Sequence, residues 1–359
     1  MRTSSVSERG RFAPNVRVRP HWYALVFYYG IGLSVAAQFV ENLVQGQAKV
    51  YSGEFYPWNR FVDWTRLLGP SAYWFFVVAE ALLLCAYALR WRVSITAAGL
   101  ALVLFLDNLG GFSNHRLLMA IEMLLISLVP VPSWGAAPLV EKKQYWNLDL
   151  VRWQISLVYF GAAAHKLHLH FLSGGSLHNL FFMLREQGVV SYSETTFAIL
   201  QDRVFCFALA ISTVLVEGAL VIGLNAPAWV GWWLPVSASL HIGMASLMPH
   251  IWIFTLQMIA TLVVFLPDRT PDAPVRLLLE RRRRPPAFLS LLVPGAVEVA
   301  VDEGAAAGGA WRLQMPDGTL KRGADAWRVL LSLSPLGFAA AETWRALSTV
   351  RRLPARASW

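Results

Sequence analysis

Within the stretch Gln154–Phe171, QISLVYFGAAAHKLHLHF, an apolar run ends in one lysine and three histidines. A lysine or aspartate at the centre of a bilayer costs about 2.5–3.5 kcal/mol on insertion scales, so a charge retained there asks for a partner or a task. The residue type narrows the task. Of 31 basic residues, 26 are arginine and five are lysine, Lys49, Lys142, Lys143, Lys166 and Lys321, and only Lys166 lies inside an apolar run. Arginine keeps its charge, whereas a desolvated amine can lose its proton and act as a base. The alternatives are a lysine that snorkels to the interface or one paired with Asp107 or Glu217.

On a helix, Tyr159, Ala163, Lys166 and His170 follow steps of four, three and four, which places them on one face. Gly161–Ala164, GAAA, reads as a place where neighbouring backbones approach closely. His165 and His168 share a face from which His170 diverges, and no HExxH or carboxylate partner accompanies them, so hydrogen bonding is expected and no metal. Further ionisable groups interrupt other apolar runs: Glu80, Asp107, Glu122, Glu217 and His241, with Glu41 and His115 near run ends. Glu122 and Glu217 read as buried hydrogen-bonding or ion-pair groups that fix helix register, Glu217 being the more central.

The elements that position these groups follow from composition. The chain of 359 residues is 56% hydrophobic and 15% charged, where soluble domains carry about 25% charge. The fold expected is an all-α polytopic membrane protein. Eight stretches are long and apolar enough to suggest spans: Trp22–Val40, Ser71–Leu89, Ser94–Leu109, Arg116–Val131, Leu150–Leu169, Val204–Leu224, Ala228–Leu247 and His250–Leu266. A basic arm, residues 1–21, precedes a transmembrane helical domain, 22–267, and a small cytosolic appendage, 268–359, follows. In that tail PDG at Pro316–Gly318 separates two strand-like stretches, and Ala324–Leu333 reads as an amphipathic helix.

Arg17, Arg19, Arg90–Arg92, Lys142–Lys143 and Arg281–Arg284 fall on one side of an eight-span count, which puts that side and both termini in the cytoplasm. The net charge of +9 then fits anionic membrane lipid, not nucleic acid. Cys85 and Cys206 lie in apolar runs and form no redox or zinc pattern. With this topology Asp107, Asn114, His115, Lys166, His170 and His241 come to one outward-facing layer.

QISLVYFGAAAHKLHLHFLSGG resembles the signature of the vitamin K-dependent γ-carboxylase superfamily, the horizontally transferred transmembrane domain. FSNHRLLMAIEML is similar to that family's Asn-His pair, and SLHIGMASLMPHIWIFTLQMIA to its late His-bearing helix and the span after it. The resemblance covers about Trp22 to Pro267. It implies a reduced quinone, vitamin K or menaquinol, deprotonated by Lys166 with His115 and His241 in support. Asn114, Tyr159, His165, His170 and Glu217 would then border the substrate or quinone pocket, and a true carboxylase would also consume oxygen and CO2. His165 stands where the carboxylase has a second lysine, and the large lumenal domain of the animal enzyme has no counterpart here. In size the chain resembles a bacterial relative that, with a soluble companion, matures a sporulation-delaying toxin. That likeness implies a secreted peptide as substrate and a soluble or membrane partner subunit, or a non-catalytic scaffold or immunity role. MPDGTLKRGADAWRVLLSLSP resembles the latter half of DCC-type thiol-disulfide oxidoreductases without their redox cysteines, which implies a degenerate, redox-inactive remnant.

Overall fold

The computed structural model describes residues 18–44, 62, 71–110, 114–129, 142–227, 229–248, 251–266, 275–279, 297–301 and 312–333. Arg17, Lys49, Arg281–Arg284 and the ends of the fourth and eighth expected spans lie outside these residues. The described chain is mostly helical, and a helix stands at each of the eight apolar stretches. These are α1 (His21–Val44), α2 (Ala72–Ala88), α3 (Val93–Gly110), α4 (Asn114–Leu128) and α5 (Trp146–His165). Three short helices follow, α6 (Leu169–Leu172), α7 (Gly175–Glu186) and α8 (Glu194–Leu200). The long helices α9 (Arg203–Gly223) and α10 (Val230–Leu247) come next, then α11 (Trp252–Thr261), which tightens into a 3₁₀ turn at Leu262–Phe265.

Among the described residues only α1 and α9 are long and apolar enough on their own to cross a membrane, while α2, α3 and α11 with its 3₁₀ turn are apolar but shorter. An eight-span bundle therefore does not follow from helix length and apolarity alone. In α5 the reason is visible in the sequence, because Asn147, Asp149, Arg152 and Gln154 interrupt its first half.

One end of the bundle is tied by polar contacts between segments far apart in sequence. Strand β1 (Val18–Pro20) pairs antiparallel with β2 (Lys142–Gln144), which sets Arg19 opposite Lys143. Arg19 is 2% exposed, so it is no solvated member of a basic arm. It donates to the Val264 carbonyl at 2.9 Å and to Asp149 at 3.3 Å, and it lies over the Tyr23 ring. These bonds join the starts of α1 and α5 to the end of α11. The Arg90 guanidinium reaches Tyr29 of α1 at 2.9 Å, so the turn between α2 and α3 lies toward this same end.

The tail carries a sheet of order β4-β3-β5-β6. Strand β3 (Val275–Leu279) pairs parallel with β4 (Val297–Val301) and antiparallel with β5 (Arg312–Gln314), which forms a hairpin with β6 (Leu320–Lys321). The hairpin turn puts Gly318 at φ +82°, a conformation glycine adopts without strain. Asp317 accepts from the Thr319 hydroxyl and backbone N–H, which holds its carboxyl below the usual carboxylate range. Helix α12 (Gly323–Ser332) then buries Ala326 and Leu330. The hairpin and helix match the sequence reading, whereas nothing in the sequence pattern marked the pair β3–β4. The tail's apolar core, with Val275, Leu277, Leu313 and Leu330, is continuous with that of the bundle.

Candidate functional site

Helix α5 stops at Lys166, whose backbone N–H bonds back to Ala163 at 3.1 Å. The chain restarts at once, because the His168 side chain accepts from the Phe171 N–H and caps α6. Gly174, at φ +80°, then turns the chain into α7, and a Cβ at this position would lie 2.5 Å from the backbone nitrogen of Phe207. His170 is therefore on a different helix from Tyr159 and Ala163, and the expected four-residue face ends at Lys166. His165, His168 and His170 are all exposed. Gly161 is exposed as well, and a Cβ added there would meet nothing within 4 Å, so GAAA is not a close helix contact at its glycine.

The Lys166 amine lies 2.5 and 2.6 Å from the two carboxylate oxygens of Glu217 on α9. The lysine side chain is 24% exposed and the glutamate 5%. Lys166 is thus a paired cation at the edge of the interior, one of the alternatives the sequence left open, and not an isolated amine. The Phe171 ring centroid lies 5.9 Å from the amine.

The register of α5 against α9 fixes where this pair sits. Asn225, just past α9, donates to Ser156 of α5 at 2.7 Å and accepts from Arg152. About 15 Å of helix separates Ser156 from Lys166, and about 12 Å separates Asn225 from Glu217, so the two contacts agree with antiparallel packing. From Glu217 to Arg203, α9 continues for about 21 Å past the end of α5. Helices α6, α7 and α8 pack along that overhang and form a cap with its own small core of Phe181, Leu200 and Cys206. Tyr192 ties the cap to the end of α10 by donating to the Leu247 carbonyl at 2.7 Å.

Within electrostatic range of the ion pair stands a second polar group. The Tyr159 hydroxyl is 2.6 Å from the Ser237 hydroxyl and 2.8 Å from Nε2 of His241. All three residues are buried, with His241 at 2% exposure. Both Lys166 and Glu217 are near enough to act electrostatically on this group, the lysine on His241 and the glutamate on Tyr159. Phe254 covers the His241 ring edge-on, and Thr255 donates to its carbonyl. The Nδ1 atom of His241 is buried and has no hydrogen-bond partner.

His115 belongs elsewhere. Its Nε2 donates to Gln38 at 2.8 Å, Gln38 donates to Asn42, and Asn42 also accepts from Arg116, which pairs with Asp107 at 2.8 Å. Glu80 of α2 is buried within electrostatic range of Asp107 and Arg116. Every hydrogen bond and ion pair of Lys166, Glu217, Tyr159, Ser237 and His241 stays among groups of α5, α9, α10 and α11, and none reaches His115. Asn114 is exposed at the start of α4. The hydrogen bonds of the expected polar layer thus form two separate clusters, one between α5, α9 and α10 and one between α1, α2, α3 and α4. Glu122 serves neither, since it is fully buried and accepts from Gln257 of α11 at 2.8 Å.

Sequence reasoning missed Ser237, Gln38, Asn42 and the burial of Arg116. Each is a polar residue inside an apolar run or beside one of its ends, and that position is the signal that could have marked them. No protein-family model, curated protein or solved structure matches the chain.

Proposed function

We propose that this chain is a multi-pass enzyme of the cytoplasmic (inner) membrane, of the vitamin K-dependent γ-carboxylase-like superfamily. Its bundle of about eight helices carries both termini on the cytoplasmic side, and its site, near the outer face, modifies a peptide or small substrate. Supporting the membrane reading are the two helices fit to cross a bilayer and the basic residues Arg19, Lys143 and Arg90 gathered toward one end. The observation that carries the enzyme reading is the bidentate Lys166–Glu217 pair within electrostatic range of His241, whose Nδ1 is buried and unpartnered.

A reduced quinone fits these residues. Its ring oxygens are hydrogen-bonding groups on an apolar body, and the site offers an unsatisfied imidazole nitrogen, a lysine amine and the aromatic faces of Phe171 and Phe254. When bound, a reduced quinone with oxygen supplies the driving force for taking a proton from an unactivated substrate carbon, and CO2 supplies the group added in a carboxylation. The chain's own part is proton handling and orientation. Lys166 and Glu217 can exchange the ammonium–carboxylate form for amine and carboxylic acid, which offers a free amine as base while Glu217 holds the proton. Tyr159 and Ser237 orient His241.

A second reading, a non-catalytic component of a toxin-maturation or immunity system, is favoured by the same contact, since an ion pair between α5 and α9 also serves as a structural tie. The test uses the full chain in lipid nanodiscs with reduced menaquinone, oxygen, labelled bicarbonate and a secreted peptide encoded beside it. The expected result is peptide modification that requires the quinol and is lost in Lys166→Arg, which keeps the charge but supplies no free amine. Full activity of Lys166→Arg would end the base role, and peptide left unmodified under all conditions would favour the scaffold.

A further inference from the structure

We infer that Ser237, Tyr159 and His241 form a one-way chain of hydrogen-bond donation that leaves an N–H at Nδ1 of His241, so that the ligand of this site presents an acceptor oxygen there. The inference rests on the proposed function in taking the Lys166 site as a ligand site; the direction of donation does not depend on it.

The direction follows from counting hydrogens. The three groups share two contacts, Tyr159 to Ser237 at 2.6 Å and Tyr159 to His241 Nε2 at 2.8 Å, and the Ser237 hydroxyl has no other partner. Ser237 is fully buried, so its hydrogen has no water to go to. If Tyr159 donated to Ser237, the serine hydrogen would be stranded. The imidazole would then carry its proton on Nε2, facing Tyr159, and a bare Nδ1 would be stranded too. If Ser237 and Nε2 both donated to Tyr159, the tyrosine hydrogen and Nδ1 would be left over. Each of those arrangements leaves two buried groups unmet in an interior without water to satisfy them. Donation from Ser237 to Tyr159 and from Tyr159 to Nε2 leaves one, the Nδ1 N–H.

One tautomer thus gives the site its polarity. A bare Nδ1 would select a hydroxyl, whereas an Nδ1 N–H selects a carbonyl, phenolate or carboxylate oxygen. The nearby Lys166 ammonium favours the same choice, because two donors of positive character suit one electron-rich oxygen. The phenolate of a deprotonated quinol or a peptide carboxylate satisfies this requirement. Tyr159 and Ser237 are then positioning residues, which act by fixing the tautomer of His241.

The test is nitrogen NMR on the full chain in nanodiscs with histidine labelled in both ring nitrogens, the His241 signals being assigned by their loss in His241→Asn. The expected spectrum is a neutral ring with the proton on Nδ1, and in Tyr159→Phe, where Nε2 loses its donor, a shift toward the other tautomer. Two probes are then added, 1,4-naphthoquinone, which has carbonyl acceptors and no hydroxyl, and benzoate. A shift of Nδ1 with naphthoquinone supports both the inference and the quinone reading. A shift with benzoate alone supports the inference and counts against the quinone. A proton found on Nε2, or an Nδ1 signal that neither probe moves, overturns the inference whatever the activity assays show.

Discussion

Lys166 and Glu217 meet through both carboxylate oxygens, at 2.5 and 2.6 Å, across the packing of α5 against α9. The contact is asymmetric in exposure, with the lysine 24% exposed and the glutamate 5%. Removing the lysine therefore strands a buried carboxylate, whereas removing the glutamate leaves an amine that can still reach the surface. Lys166→Met should destabilise by about 3 kcal/mol, the lower end of the range for broken buried pairs, and Glu217→Gln by less. Thermal or denaturant unfolding in nanodiscs reads both, and equal losses would contradict the asymmetry.

The separation of His115 from this pair gives a prediction that sequence reasoning alone would reverse. His115 shares no partner with Lys166, so the effects of His115→Ala and Lys166→Met on stability should add to within about 0.5 kcal/mol. Lys166 and Glu217 should couple by more than that in the same cycle. A large His115–Lys166 coupling would mean that the two clusters act as one.

The second cluster has its own weak point in Arg116, which is buried and bonds to both Asp107 and Asn42. Arg116→Met removes the cation that bonds to Asp107 within electrostatic range of the buried Glu80. The expected cost is about 3–5 kcal/mol, partly recovered when Asp107→Leu is added. Unfolding of the single and double variants checks it.

Two glycines near the site should respond in opposite senses. Gly174→Ala forces a Cβ to 2.5 Å from the Phe207 nitrogen at φ +80°, so the cap of α6 to α8 should loosen and become cleavable by added protease. Gly161→Ala meets nothing within 4 Å in a helix and should stabilise by about 0.5–1 kcal/mol. A destabilised Gly161→Ala protein would instead point to a neighbour, such as a second chain, packed on that face.

The amino-acid sequence by itself determined that helices form at eight apolar stretches, because each carries its own hydrophobicity and satisfies its backbone hydrogen bonds internally. It also marked Glu80, Asp107, Glu122, Lys166, Glu217 and His241 as groups needing partners, and the tail hairpin and amphipathic helix, whose turn and spacing are local. Partner identity was decided only by the tertiary structure. Whether Lys166 meets Asp107 or Glu217, and whether His115 joins Lys166 or Gln38, depends on helix register and on where α5 stops, and neither is set by residues near these side chains in sequence. The parallel β3–β4 pair and the burial of Arg19 escaped for the same reason, since each is held by contacts between distant segments.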